Sequence, residues 1–289
     1  MNPIIEQMLT EHETTTLYEK KNAVKEVVQE AILCGLSRAG FFKYAAFYGG
    51  TALRIFYGLD RFSEDLDFSL RKREPDFHLE EYFPVLEKEI QSFGLQFHLE
   101  TKEKTVDSDI QSAFLKGGTK EHILLLYPEE KLAKSINPNE LIKIKFEIDT
   151  NPPEGAQFEN RYRLLPIPYE ITLYDPASLF AGKIHAVICR AWKNRVKGRD
   201  LYDYVFYRSR AIPVNLPHLT VRLRQSGYID EKESLSIDDV KEILNDRFGK
   251  FDYEQAKEDV LPFIRNPATL DVWRAEFFRE ITAGLKASE

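Results

Sequence analysis

Residues 48–70 read YGGTALRIFYGLDRFSEDLDFSL, a stretch that combines a glycine-rich turn with a closely spaced pair of carboxylates. It begins with a Gly-Gly-Thr turn at residues 49–51, directly after an apolar run. Thirteen residues then separate this turn from two carboxylates, Asp65 and Asp67. Because side chains alternate along a strand, both carboxylates are predicted to share one face. Two neighbouring aspartates repel each other and form strands poorly, so the pattern predicts a bound cation.

The Gly49-Gly50-Thr51 turn is predicted to bind phosphate. Residues 41–48 have the pattern of a buried strand, and residues 51–57 that of a short helix. A strand, a glycine turn and a helix N-terminus together present backbone N–H groups and a positive dipole end to an anion. Mg²⁺ is the cation expected beside such a phosphate, because it binds carboxylate oxygens together with substrate phosphates.

Composition limits the class of protein. The chain has 289 residues and is 43% hydrophobic, which suits two domains with buried cores. No apolar run reaches the roughly eighteen residues of a membrane span, so we expect a cytoplasmic protein without membrane association. The cysteines, Cys34 and Cys189, lie far apart in the sequence and indicate reduced thiols rather than a disulfide framework.

Charge is distributed unevenly along the chain. The formal net charge is −7, which argues against nucleic-acid binding over the whole surface. Residues 183–210, however, contain eight basic and two acidic residues, a local balance of 8 − 2 = +6. Such a basic segment in an acidic protein indicates a directed phosphate site. The basic residues are Lys183, Arg190, Lys193, Arg195, Lys197, Arg199, Arg208 and Arg210, and the acidic ones are Asp200 and Asp203.

Hydrophobic periodicity predicts three parts: an N-terminal helix within residues 1–40, an α/β core at 41–170 and a helical domain at 171–289. The clearest strand is residues 141–150, and Asp175-Pro176 is a strong helix start. Further extended runs are expected at 95–105 and 110–116, with a turn near 107–109, and at 122–127. Helices are expected at 15–39, 77–93, 177–192, 199–207, 216–226, 237–247, 253–261 and 270–285.

The strand at residues 141–150 is predicted to supply a third carboxylate. Asp149 is the preferred candidate, and Glu147, on the same face, is the reserve. With Asp65 and Asp67, Asp149 would complete a two-metal site, and it could accept a proton from an attacking hydroxyl.

These motifs together resemble a known family. The pattern G-G-T followed by D-L-D-F is similar to the signature of polymerase-β-like nucleotidyltransferases. The fuller set, which adds RFSEDLDFSL and AGKIHAVICRAWKNRVKGRDLYDY, resembles the AbiEii-type toxins of bacterial type IV toxin–antitoxin systems over residues 40–210. The resemblance implies an α+β fold, with a mixed-sheet nucleotidyltransferase core and a C-terminal helical domain.

The resemblance assigns roles to residues in the first part of the chain. Gly50 and Thr51 occupy the family's first-motif turn, where Thr51 retains a hydroxyl. Asp65 and Asp67 match its metal-binding pair, and Ser63 lies at the matching S-x-D position.

The helical part also carries family motifs. Lys183 matches the lysine to which the resemblance assigns binding of the nucleotide phosphates. The R-D-x-Y-D motif begins with Arg199 and Asp200, and the resemblance implicates Asp200 in activity. It further implies a nucleoside triphosphate substrate, an RNA acceptor such as the 3′ end of tRNA, and a cognate antitoxin.

The sequence is compatible with several alternatives. The acceptor could be a protein or a small molecule such as an aminoglycoside, and the chain could be a non-catalytic NTP-binding module. Asp200 and Asp203 could instead pair with Arg199 and Lys197, fixing one helix to another. Two further arginines, Arg54 and Arg61, could contact phosphate or neutralise the Asp65–Asp67 pair.

Overall fold

The computed structural model of the chain describes residues 2–12, 14–101, 109–127, 134–190 and 197–288. The chain forms two compact units. The first comprises Met1–Ala52, Glu64–Pro152 and Asn160–Leu173, and the second Leu53–Ser63, Pro153–Glu159 and Tyr174–Glu289. The second unit therefore includes two segments that precede residue 170.

Two helices open the first unit. Helix α1 spans Pro3–Thr10, and α2 spans Leu17–Arg38, within the predicted residues 15–39. A capping box starts α2: the Thr16 side chain accepts from the Glu19 N–H, and the Glu19 carboxylate accepts from the Thr16 N–H. The residues that α2 buries include Val24, Val27 and Ala31, which belong to the apolar face expected from the sequence.

Within the described residues, seven strands form one mixed sheet, ordered β3-β4-β5-β2-β1-β7-β6. Strand β2 pairs antiparallel with β1 and parallel with β5, and β1 pairs parallel with β7. This arrangement confirms the predicted α+β class with a mixed sheet. The strands are β1 (Ala45–Tyr48), β2 (Leu66–Leu70), β3 (His98–Thr101), β4 (Ile110–Gly118), β5 (Leu141–Asp149), β6 (Phe158–Arg163) and β7 (Tyr169–Tyr174).

Aromatic packing forms the core beneath the central strands. Phe68 of β2 is fully buried and stacks on Phe146 of β5, with ring centroids 4.6 Å apart. Its ring also lies 5.0 Å from Phe47 and 5.1 Å from Phe41. Strand β5 alternates as predicted, since Ile142, Ile144, Phe146 and Ile148 are all 3% exposed or less.

One expected extended run is helical. Helix α5 spans Thr119–Leu126 and so includes most of residues 122–127. A short apolar run does not distinguish a helix from a strand, and here the ring Nδ1 of His122 also hydrogen-bonds to the Gly118 carbonyl at the helix N-terminus. The strand expected at 95–105 is β3, which ends at Thr101 in the described residues. The turn expected near 107–109 lies, except for Asp109, outside them.

The remaining helices mostly follow the prediction. Asp175 caps the first long helix of the second unit by accepting the Ser178 N–H, with Pro176 in the first turn. That helix ends at Cys189, and residues 191–196 lie outside the described ranges. The helices are α3 (Gly49–Tyr57), α4 (Phe83–Ser92), α6 (Pro176–Cys189), α7 (Gly198–Ser209), α8 (Leu216–Gln225), α9 (Ile237–Phe248), α10 (Tyr253–Val260) and α11 (Ala275–Ala283).

The core of the second unit is also aromatic. Phe180 stacks on Tyr207 with centroids 4.5 Å apart, and Tyr204 meets Phe248 edge to face at 5.3 Å. The Tyr204 hydroxyl hydrogen-bonds to the Thr282 hydroxyl at 2.6 Å, which satisfies its buried polar tip. Within the described ranges, no helix has the length and apolar character needed to cross a bilayer.

Candidate active site

The predicted carboxylate pair lies at the start of strand β2. Asp67 is the second residue of the strand, and Asp65 immediately precedes it. Leu66 and Phe68 are completely buried, whereas Asp65 and Asp67 are partly exposed. The structure therefore gives this segment the alternation that the sequence predicts, with apolar side chains in the core and carboxylates outside it.

Gly49 packs directly against the Asp67 carboxylate. Its φ of +84° lies in the left-handed region, which favours glycine. A Cβ atom built on Gly49 would lie 2.5 Å from Asp67 Oδ2 and 3.2 Å from Asp67 Cβ. Glycine is thus required here for its backbone angle and for the close approach of the carboxylate.

Thr51 ties the glycine turn to the carboxylate strand. Its side chain is fully buried, and its hydroxyl donates a 2.5 Å hydrogen bond to the Asp65 carbonyl. Thr51 belongs to the turn that the sequence predicts to bind phosphate. In the structure its hydroxyl instead fixes the position of the backbone at Asp65. A phosphate at this turn would bind the backbone N–H groups at the start of α3, including that of Gly50.

The register of β2 against β5 ranks the two candidates for the third carboxylate. Glu147 is the direct partner of Asp67, whereas Asp149 is the partner of Ser69, two residues further along. Paired residues on neighbouring strands point to the same face, so Glu147 is closer to Asp67 in register. Among the described residues, no group of three or more His, Cys, Asp and Glu side chains could hold a metal ion. The predicted trio of Asp65, Asp67 and Asp149 is therefore not brought together as a cluster.

Both β5 carboxylates have polar partners. Glu147 accepts a 3.2 Å hydrogen bond from the Ser112 hydroxyl and lies 2.6 Å from the Lys145 ammonium. Asp149 accepts the Asn151 N–H at 2.9 Å, as an acidic residue does where a strand turns.

A buried charge cluster occupies the second unit. Arg61 donates two hydrogen bonds to Asp203, at 2.6 and 2.7 Å, in a bidentate pair with both side chains nearly fully buried. The Lys183 ammonium lies 2.7 Å from Asp200 and 2.8 Å from Asp203, and so bridges the two carboxylates. Arg190 completes the cluster with a 2.9 Å bond to Asp200.

The cations keep both carboxylates ionised. Burial alone would raise the pKa of Asp200, but Lys183 and Arg190 lower it to about 2. Burial would likewise raise the pKa of Asp203, but Arg61 and Lys183 lower it. Because the folded pKa of Asp200 lies below its ordinary 3.8, ionised Asp200 contributes stability above that pH. The contribution is lost as the pH falls through about 2.

The structure identifies ion-pair partners for the two aspartates. Asp200 and Asp203 pair with Lys183, Arg190 and Arg61, and the nearby Lys197 also helps to lower the pKa of Asp200. A single sequence could not reveal the Arg61 contact, because 142 positions separate its partners. Arg199 lies over the Phe263 ring, 4.3 Å from its centroid, in a cation–π contact.

Other predicted residues are held by local contacts. Arg54 donates to the carbonyls of Leu59 and Asp60 at 3.3 and 2.8 Å. Ser63 is a buried residue at the end of the segment Leu53–Ser63 of the second unit. Two members of the basic segment, Lys193 and Arg195, lie outside the described residues.

Comparison with known proteins identifies the family. Residues 31–278 match the family described as nucleotidyl transferase AbiEii toxin, of type IV toxin–antitoxin systems. The chain belongs to this family. The AbiEii match confirms the resemblance seen in the sequence motifs, and it makes this chain a nucleotidyltransferase of the AbiEii toxin family.

Two solved structures from Helicobacter pylori are similar to this AbiEii chain. One, provisionally described as a nucleotidyltransferase, is 18% identical, with a TM-score of 0.42 over 90% of this chain and 89% of that chain. The other, JHP933, is 19% identical, with a TM-score of 0.42 over 91% of this chain and 88% of that chain. No curated protein gives a significant match.

The approach of Gly49 to Asp67 can be tested by comparing two alanine substitutions. Gly49→Ala should lower the free energy of unfolding by more than the roughly 1–2 kcal/mol of left-handed strain, because the new Cβ must also displace the Asp67 carboxylate. Gly94→Ala is the control, since Gly94 has a φ of +80° with nothing within 4 Å of an added Cβ. Urea denaturation measures both losses. Equal losses would contradict the close approach, whereas a smaller loss for Gly49→Ala when Asp67 is also alanine would support it.

The buried ion pair makes a second prediction. Asp203→Asn leaves the Arg61 guanidinium buried without its anionic partner, so stability should fall by about 3–5 kcal/mol. Asp238→Asn is the matched control, because its ion pair with Lys241 leaves the Asp238 side chain 82% exposed. That change should cost well under about 1 kcal/mol in the same urea titration. Similar midpoints for the two variants would contradict a structural role for the Arg61–Asp203 pair.

Proposed function

We propose that this AbiEii chain is an Mg²⁺-dependent toxin that transfers a nucleoside monophosphate from an NTP to an RNA 3′ end, with tRNA as the first candidate. The carboxylate pair of Asp65 and Asp67, at the start of a central strand, carries the proposal. Gly49 and Thr51 fix the position of that pair through the contacts described above. A non-catalytic NTP-binding module would not require such a constrained pair of like charges.

The residues present fit a magnesium ion. Asp65 and Asp67 offer oxygen ligands outside the core, and Mg²⁺ commonly binds one or two carboxylates together with substrate phosphates. The described residues form no group of three such ligands, so Glu147, the register partner of Asp67, and Asp149, two residues further along β5, are proposed only as candidates for a third carboxylate. When bound, Mg²⁺ would neutralise charge on the phosphates during transfer.

The proposed reaction is nucleotidyl transfer, in which groups of this protein accept a proton and bind phosphate. A 3′-hydroxyl oxygen of the acceptor forms a bond to the α-phosphorus of the NTP, while the bond from that phosphorus to the bridging oxygen breaks and pyrophosphate leaves. The proton of the hydroxyl passes to a carboxylate of β5, for which Asp149 and Glu147 are the candidates. The backbone N–H groups of Gly49 and Gly50 are proposed to bind phosphate oxygens.

Family-motif residues of the second unit are also proposed to bind phosphate. Lys183 is the proposed phosphate ligand, with Arg199 as a further cation, and Asp200 positions the Lys183 ammonium through their 2.7 Å contact. A compact ammonium that two carboxylates hold in place is suited to binding one phosphate oxygen. An antitoxin protein is the proposed partner, and the cytoplasm the proposed location, in keeping with the toxin–antitoxin family.

Transfer can be measured directly with labelled NTPs. Incubation with Mg²⁺ and total tRNA should label RNA, and Asp65→Ala should abolish labelling while the protein remains folded, because the substitution relieves carboxylate repulsion. Asp76→Ala, an exposed change in the same unit, is the control and should retain transfer. Labelling of a protein or an aminoglycoside instead of RNA would identify that molecule as the acceptor. NTP binding in calorimetry without any turnover would identify a binding module instead.

The third carboxylate can be assigned by comparing two conservative variants. The register predicts that Glu147→Gln lowers kcat by about 10²-fold or more, as loss of an acid–base or metal-binding group does. Asp149→Asn should have a smaller effect. The measurement is the transfer rate at saturating NTP across a Mg²⁺ titration. A larger loss for Asp149→Asn would restore Asp149 as the third carboxylate.

A further inference from the structure

The sheet carries basic side chains on the same face as the carboxylates. Strands β4 and β5 pair antiparallel, with Lys116 opposite Lys143, Phe114 opposite Lys145 and Ser112 opposite Glu147. Directly paired residues point to one face, and positions two apart along a strand share it. We call Lys116, Lys143, Lys145 and Phe114 the lysine face. Through Glu147, the partner of Asp67, it lies on the same side of the sheet as the carboxylate pair.

The lysine face is open to solvent, whereas the other face of β5 is buried. Lys143 is exposed, and the side chains of Lys116 and Lys145 are 28% and 32% exposed. Leu141, at the start of the same strand, is 45% exposed. The alternate residues of β5 are all in the core. A ligand can therefore reach these lysines without any rearrangement of the sheet.

The cross-strand lysine pair points to an anionic ligand. Like charges directly opposite on neighbouring strands are destabilising, and Lys116 faces Lys143 in this way. Glu100 forms an ion pair with Lys116, and Glu147 forms one with Lys145. In the part of the chain that the structure describes, no carboxylate forms an ion pair with Lys143. An anion placed between Lys116 and Lys143 would relieve their repulsion.

An aromatic ring accompanies these cations. Phe114, opposite Lys145, is partly exposed, and the Lys116 ammonium lies 6.0 Å from the centre of its ring. Basic side chains beside an aromatic ring are the usual means of binding single-stranded nucleic acid, because phosphates contact the cations and bases stack on the ring.

We infer that the lysine face binds the single-stranded end of the acceptor RNA, with backbone phosphates at Lys143 and Lys116 and a base against Phe114. The strand geometry sets the distances, since a rise of about 3.3 Å per residue places Lys143 about 13 Å from Glu147 along β5. The RNA would thus approach the carboxylates along β5 with its 3′ end leading. The inference rests on the proposed function, because it takes the acceptor to be RNA.

The experiment compares RNA binding by charge-removing variants of the full chain. Lys143→Gln and Lys116→Gln should each weaken binding of a short single-stranded RNA about fivefold and reduce the slope of log K against log salt by about 0.7. Lys88→Gln, an exposed change on helix α4, is the matched control and should bind as the unaltered chain does. Thermal unfolding separates binding from folding, because Lys143→Gln removes a like-charge contact and should leave Tm unchanged or higher.

The possible outcomes are distinct. Weaker RNA binding with unchanged NTP affinity supports the inference, and a further loss for Phe114→Leu supports base stacking. Weaker NTP binding with unchanged RNA affinity would overturn it and assign the lysines to the triphosphate. Unchanged binding of both would also overturn it. If no RNA is labelled in the transfer assay but the lysine variants still lose RNA binding, the proposed reaction fails and RNA binding by the lysine face stands.

Discussion

The contact between Gly49 and the Asp67 carboxylate is the constraint on which the geometry of the proposed carboxylate site depends. It requires the chain to turn through a left-handed residue directly after β1, and it sets the distance between that turn and β2. The Thr51 hydroxyl then joins the first turn of α3 to the backbone at Asp65. The N–H groups that are proposed to bind phosphate and the carboxylates that are proposed to bind metal belong to different elements, and these contacts fix their relative positions. Such positioning by packing and a supporting hydrogen bond is what a catalytic group needs.

In the second unit, by contrast, the charged side chains are buried and hold one another in place through ion pairs. Arg61, Lys183 and Arg190 surround Asp200 and Asp203, so three cations meet two carboxylates in this cluster. Removing charges from water is costly, and buried pairs often contribute little net stability. The cluster instead restricts the position of the Lys183 side chain. The Lys183 ammonium is held by two carboxylates that are themselves held by arginines, which limits the positions that it can occupy.

Local patterns in the sequence predicted much of this structure. The alternation of β5 and the Asp175-Pro176 helix start each have a short-range physical cause, and the structure has both. Gly49, Gly50 and Thr51, predicted as a turn before a helix at 51–57, form the beginning of α3 itself. The register of β5 against β2 could not be predicted from the sequence, because a period of two specifies which face a residue occupies but not its partner on the next strand. A single sequence therefore gives no register by which to rank Asp149 and Glu147, whereas the sheet places Glu147 opposite Asp67. The run at 122–127 was ambiguous because it is short, and Arg61 gave no local indication of its distant partner.

The separation of Arg61 from Asp203 also bears on how the protein is made. Arg61 belongs to a short segment of the second unit, and 142 positions separate it from the carboxylate that it binds. At ordinary elongation rates Arg61 is synthesised on the order of ten seconds before Asp203. During that interval Arg61 lacks the Asp203 carboxylate that it binds in the folded protein. The charge cluster that holds Lys183 can therefore form only after translation has passed residue 203, so a prematurely terminated chain cannot position this lysine.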